Sequence, residues 1–401
     1  MFDNLIGQEA LVTGLKREVT EGTLPRSLLF FGPPYSGKGT AALELARVLT
    51  CEKKAEWNCP CRSCEQHRRL IHPNTLLLGP RYFREEIAAC AEVLRRWDQS
   101  STRYLFIRSV RKLTRRFDPQ LWEGNDAKLK KIQSLLTEVE ESLDFFLPGV
   151  AHDDRDLVEK RLSRMVELCG LIQKEGALDG ISVDRIRKAG VWVQTTGESR
   201  KIVILENADQ MQEGARNALL KTLEEPGPQV YFILLTSRRN GIIPTIASRL
   251  RQYRFYPRTE ETSQDILQRV FRESPGRYSS IQEYFLAWGV DLDTLHQQVN
   301  RFITAVGRKT VDYDELRACF DWIKKEEVFH LFLDELLKKM MEKDGLLSSA
   351  EGEMSMMFRR ERWMEALRET LYRYETLNQS PALAAERLFY LMRESITCAA
   401  L

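Results

Sequence analysis

The sequence of 401 residues has no apolar stretch near the ~18 residues that a membrane-spanning helix needs. Its opening, MFDNLIGQEA, has no basic segment leading into an apolar one. No signal peptide is expected, the default compartment is the cytoplasm, and no membrane partner is implied. Charge of one sign is missing too: 60 basic residues face 58 acidic ones, a net charge of +2. A chain so balanced does not present itself as a nucleic-acid binder, so any DNA contact has to come from a local patch or from partner subunits. There is no internal repeat or low-complexity tract, and nothing strand-like follows residue 259. What remains is a soluble globular composition, 43% apolar and 29% charged, long enough for two or three domains.

The stretch LLFFGPPYSGKGTAALELA, residues 28–46, starts as a Walker A loop and then departs from it. The pattern G-x-x-x-x-G-K-[ST] is met by Gly32, Gly37 and Lys38, but Gly39 stands where a magnesium-coordinating hydroxyl belongs. Two glycines and a lysine at these spacings arise by chance in roughly one chain in ten. Context argues against chance: an apolar strand precedes the loop, and Ala41, Ala42, Leu45, Ala46 and Leu49 make a helix after it. Backbone N–H groups and the helix N-terminus would wrap phosphate while Lys38 neutralises it. Thr40 is one residue late, about 100° round the helix, and does not replace the missing hydroxyl. The loop is therefore expected to keep a weak ATP site, with the magnesium position in question.

The second half of an ATPase site should be an acidic pair at a strand end. KIVIL delivers Glu206 at the metal-holding position and Asn207 where a water-activating glutamate belongs. An amide cannot accept that proton, and Asp209 stands too far along. Both departures point to weak or absent hydrolysis.

Four of the eight cysteines, Cys51, Cys59, Cys61 and Cys64, fall within fourteen residues. In a reducing compartment such a cluster reads as metal-binding. The expectation is a closed structural zinc site, with His67 as an alternative fourth ligand because Cys59 and Cys61 are separated by one residue. His72 is expected to cap or pack.

The predicted fold class is α/β followed by all-α. Strands at 27–31, 201–206, 230–237 and 251–257 alternate with helices and argue a parallel sheet covered on both sides. Within 81–178, Leu129, Ile132, Leu136, Val139 and Leu143, and then Leu157, Leu162, Met165, Cys169 and Ile172, predict two helices in a hairpin about LPG (147–149). Helix packing is the plain reading of this hairpin, a binding arm the other.

The order of these features resembles the AAA+ clamp-loader subunits of bacterial DNA polymerase III. The likeness is carried by the opening through GPPYSGKGT, the cysteine cluster after the loop helix, HPN, ISVDRIRKAG, KIVILENADQMQEGARNALLKTLEEP, IPTIASRL and NQSPALAAERLFYLM. It implies an AAA+ domain over 1–258 with a zinc module at 51–67, then a helical lid at 259–320 and a collar at 321–401, whereas the helical segment 81–178 has no counterpart in the likeness and looks like an insertion. Gly39, Glu206 and Asn207 depart from the ATP-hydrolysing gamma/tau pattern, while Ser248 and Arg249 remain, with Leu250 in place of a cysteine. That combination looks like the delta-prime branch. It implies that Arg249, with Ser248, reaches in trans to ATP on a neighbouring subunit of the loader. It also implies gamma/tau and delta subunits as partners, and indirect or weak contact with the sliding clamp and primer-template DNA at the nucleoid-associated replisome. Adenylate kinases share the GKGT loop, but neither the cysteine cluster nor the C-terminal helices suit a single domain of that kind.

Overall fold

The structure is a computed structural model. It describes residues 1–81, 83–122, 127–150, 154–176, 180–195, 199–224, 226–308, 310–325, 328–341, 353–377 and 379–398. The first unit, Met1–Trp288, begins with α1 (Glu9–Thr20), β1 (Ser27–Phe31) and α2 (Lys38–Thr50). After these come α3 (Arg62–Arg68), β2 (Thr75–Leu78), α4 (Arg84–Arg96), α5 (Ser100–Thr114), α6 (Ala127–Leu143) and α7 (Arg155–Gly176). The α/β alternation resumes with α8 (Val183–Gln194), β3 (Lys201–Leu205), α9 (Glu213–Glu224), β4 (Val230–Thr236), α10 (Pro244–Ala247) and β5 (Arg251–Arg254). Two helices, α11 (Glu260–Phe271) and α12 (Ile281–Leu286), complete the unit.

The five strands form a parallel sheet in the order β2-β3-β4-β1-β5. Because successive strand residues point to opposite faces, each apolar run feeds two cores at once. Leu29, Val203, Leu205, Phe232 and Leu234 join one, shared with α4 to α9. Leu28, Phe30, Ile202, Ile204 and Ile233 join the other, with α1 and α2. β2 is absent from the strands read in the sequence: TLLL is four residues long, fully buried, and has no alternation to mark it.

The expected hairpin is present. Helices α6 and α7 run antiparallel, with Arg164 bonded to Glu138 at 3.0 Å and Lys131 paired with Glu175. Ile132, Val139, Leu162, Met165 and Ile172 are buried between this pair and the sheet's helices. The segment also carries α4 and α5, and beyond α5 the chain turns through Arg116 to Trp122.

The second unit, Gly289–Leu401, contains α13 (Leu292–Gly307), α14 (Tyr313–Lys325), α15 (Phe329–Met341), α16 (Glu353–Leu377) and α17 (Pro381–Cys398). Its core is its own, built on Phe302, Ile323, Phe332, Leu336, Trp363, Leu388 and Phe389. The expected boundaries at 259 and 321 are met by one division, between Trp288 and Gly289. The physical reason lies in the apolar faces of the 259–320 segment. Ile266, Leu267, Phe271, Tyr284 and Phe285 fill the sheet unit's core, whereas Leu295, Val299 and Phe302 belong to the second.

Candidate nucleotide loop, exposed arginine and cysteine centre

Helix α2 begins at Lys38, with Gly37 at its N-cap in the left-handed region at φ 98°. That conformation favours glycine, and a β-carbon there would also lie 2.7 Å from Nη2 of Arg258. Lys38 folds back on the loop: its Nζ donates to the carbonyls of Gly32 at 2.6 Å and Pro33 at 2.5 Å, and to Ser36 Oγ at 3.3 Å. Burial draws its ammonium down to about 8, against the opposing pull of Glu206 and Asp209. Tyr35, at the loop's exposed tip, stacks on Phe285 of α12 at 5.7 Å. Thr40 sits half-buried one position further along α2.

Glu206 leaves the end of β3 toward Gly39, and its Oε1 lies 3.1 Å from where a β-carbon of residue 39 would be. Both carboxylate oxygens are taken. Oε1 accepts from Arg81 Nη1 at 3.0 Å, and Oε2 accepts from Arg116 Nη2. Burial works to raise the Glu206 carboxyl, but Arg81 and Arg116 outweigh it and hold it below its usual range. The side-chain amide of Asn207 donates to the Pro80 carbonyl at 2.8 Å and faces away from a general-base role. Asp209 accepts from Thr236 Oγ1 at 2.6 Å, at the end of β4.

Ser248 and Arg249 follow α10, whose start is fixed by Pro244 at its first turn. Ser248 Oγ donates to the Thr245 carbonyl at 3.1 Å. Arg249 is on the surface, its Nη1 donating to the same carbonyl at 2.8 Å and its Nη2 to Glu224 at the end of α9 at 2.6 Å. Leu250 turns inward and is buried.

The ligand atoms of Cys51, Cys59, Cys61 and Cys64 all lie within 4.8 Å of one another, so the cluster could hold a metal ion. Tetrahedral thiolate ligation at about 2.3 Å from the metal puts sulfurs about 3.8 Å apart. Cys51 Sγ is 3.7 Å from that of Cys59 and 3.9 Å from that of Cys61, so the donor set fits. Burial raises the Cys61 thiol, yet N–H groups of Cys64 and Glu52 bring it down to about 7. Arg47 backs the centre, donating to Cys64 Sγ at 3.1 Å while paired with Glu44 at 2.7 Å, both in the core. The alternative ligand His67 is turned elsewhere. Its Nε2 pairs with Thr50 Oγ1 at 2.7 Å and its ring stacks on His72 at 4.3 Å. His72 Nδ1 accepts from the Asn74 backbone N–H at 3.2 Å, a capping contact.

Three residues at the loop went unnoticed in the sequence: Arg81, Arg116 and Arg258. Arg81 and Arg116 meet Glu206 from 125 and 90 residues away, and no spacing rule links such positions. Arg258 lies against Gly37, and its Nε is buried without a partner among the described residues.

The family match lies within the sheet unit. The family described as "DNA polymerase III, delta subunit" matches residues 7–136 and 153–259, and so runs through much of the helical segment 81–178. The DNA polymerase III subunit delta' of Pseudomonas aeruginosa is 38% identical over 84 residues, 20% of this chain and 26% of its own length. The delta' subunit of Bacillus subtilis is 33% identical over 93 residues, 22% and 28% of the two chains. The matched stretches thus span about a quarter of these curated relatives. A DNA polymerase III gamma subunit-related protein from Thermotoga maritima aligns over 96% of this chain and 98% of its own, at 16% identity and a TM-score of 0.41. With more than half of its residues inside the family match, the chain belongs to the DNA polymerase III delta subunit family, among the clamp-loader AAA+ subunits that its motifs resemble.

Proposed function

We propose that this chain is a delta-prime-type stator of a DNA polymerase III clamp loader, supporting ATP-driven placement of the sliding clamp on primed DNA. The carrying observation is the contrast between its two arginine settings. At its own loop the Glu206 carboxylate is neutralised by Arg81 and Arg116, and Asn207 is tied to Pro80. At the surface, the partners of Arg249 among the described residues are a backbone carbonyl and the exposed Glu224. Exposed ion pairs of that kind contribute about 0–1 kcal/mol, so Arg249 can leave Glu224 at little cost. In an assembled loader it would approach the γ-phosphate on a neighbouring gamma-type subunit and add positive charge where negative charge develops. Ser248 would fix the turn that presents it. The cysteine cluster would hold zinc in a closed structural site, and the C-terminal helices would serve the collar through which subunits associate.

Replacing Arg249 by alanine in a reconstituted loader tests this reading. Arginine fingers contribute ~10³–10⁵ in rate at the site they serve. Clamp-stimulated, DNA-dependent ATPase should therefore fall by at least about tenfold at the adjoining site, with Arg249→Ala still assembling. Unchanged ATPase would remove the finger role. The second reading, a gamma/tau-like motor, is favoured by the intact Gly32, Gly37 and Lys38. It requires ATP turnover by the isolated chain that Lys38→Ala abolishes.

A further inference from the structure

Glu206 stands where a strand-end carboxylate would hold a divalent cation beside the phosphate loop, yet both its oxygens already have cations. Arg116 is almost entirely buried, 1% exposed at its side chain, and it cannot swing away without leaving the core. Its Nη1 donates to the Leu78 carbonyl at 2.7 Å, and Trp122 Nε1 donates back to its own carbonyl at 2.8 Å. Arg81 is fixed from two sides, by Glu206 and by Glu86, and Glu86 also takes Lys112 from α5. Phe83 lies under both guanidinium groups, 5.9 Å from Arg81 and 5.6 Å from Arg116. The strongest charges on Glu206 are those of Arg81, Arg116 and Lys112 on the positive side and Glu86 on the negative. Among the described residues these three cations outnumber the carboxylates of Glu206 and Glu86, and adding Lys38 with its neighbour Asp209 leaves the excess positive. A divalent cation entering there would meet repulsion and would have to displace a buried arginine, which is costly because the stranded charge has no water to return to.

The loop side is shaped to match. Gly39 offers no hydroxyl, and a side chain there would press on Glu206 Oε1 at 3.1 Å with Arg81 Nη1 at 3.8 Å. Gly79, where the chain leaves β2 toward Arg81, packs so closely that a β-carbon would lie 1.9 Å from the Glu206 carbonyl oxygen. Backbone and side chain thus hold Glu206 in one place, aimed at the arginines. The residues present do not fit magnesium.

We propose that Arg81 and Arg116, supplied by the helical segment after β2, are permanent internal cations that replace the divalent metal at Glu206, so the phosphate loop is closed to metal irrespective of the residue at position 39. This goes beyond the stator reading, which concerns Arg249 and a neighbour's ATP. On this view Gly39 follows from the arginine-held carboxylate, and restoring a hydroxyl alone restores nothing.

The test compares the affinity of a fluorescent ATP analogue, mant-ATP, in excess magnesium and in EDTA. It uses the full chain, Gly39→Ser, and the triple variant Gly39→Ser/Arg81→Met/Arg116→Met, each checked for folding by circular dichroism. The wild type and Gly39→Ser should bind equally in the two conditions. The triple variant should gain a preference for magnesium of at least about tenfold. Tighter binding in magnesium by the wild type or by Gly39→Ser would overturn the proposal, as would a folded triple variant that gains no preference. Gly39→Ser keeps both Arg81 and Arg116, so the proposal can fail on that variant even if the triple one does not fold.

Discussion

At the scale of single residues, the stacked histidines behind the cysteine centre carry the clearest pH dependence. His67 is 2% exposed and His72 7%. Burial, with Arg115 nearby, pushes His72 down to about 4 against a weaker opposing pull from Glu52. Burial, then His72, Arg108 and Arg47, push His67 well below its usual value. For bases lowered on folding, the unfolded chain takes up protons first, so their stabilisation is complete above the unfolded value of 6.5 and is lost as pH falls toward 4. His72→Gln should therefore be destabilising at pH 7.5, and its penalty should shrink as pH falls through this window. Melting temperatures of both proteins between pH 7.5 and 4.5 measure it, and a penalty constant with pH would contradict it. The same scale shows what a sequence hides. Gly39, Glu206 and Asn207 were legible because a motif assigns each position a task. Arg81 and Arg116 were not, since an arginine in a helical segment reads as solvated until the fold brings it beneath a carboxylate.

At the scale of elements, the loop and four of the strands were legible because unbroken apolar runs such as KIVIL and VYFILLT have few other fates. The short β2 was not, being defined by its neighbours Ile202 to Leu205 rather than by any pattern of its own. The module between α2 and α3 sits between these cases. Its four cysteines were legible as metal ligands, but the narrow Cys59–Cys61 spacing made His67 look useful. In the fold Pro60 lies between two thiols that both reach the cluster, and Cys61 caps the start of α3, its sulfur accepting from the Cys64 N–H at 3.4 Å. His67, on the next turn of the same helix, therefore points past the centre to Thr50. Purified chain should carry about one equivalent of zinc. His67→Ala should keep it, whereas Cys64→Ser should lose it together with hydrogen-exchange protection across α3, because a closed metal site supplies folding energy directly. Metal content by mass spectrometry decides the point, and loss of zinc from His67→Ala would return that histidine to the ligand set.

At the scale of the whole chain, the two units rest on cores that share no residue among those described. Separate cores are the physical condition for separate folding. The fragment 1–288 should therefore unfold cooperatively on heating, and so should 289–401. The sharper comparison is with the fragment 1–258, which ends where the change from α/β to helix suggests a boundary. That cut removes α11 and α12, and with them Phe271, Tyr284 and Phe285. These three pack ring against ring at 4.8 to 5.4 Å and join the same core as α4. It also removes Phe285 from beneath Tyr35 of the phosphate loop. Deleting even one buried aromatic side chain costs about 3–5 kcal/mol, a large part of the ~5–15 kcal/mol that holds a domain folded. Fragment 1–258 should therefore melt well below 1–288 and expose enough apolar surface to aggregate. Scanning calorimetry and size-exclusion chromatography of the two fragments side by side are the measurement. Equal melting temperatures would mean that α11 and α12 merely rest on the sheet unit, and that its core closes without them.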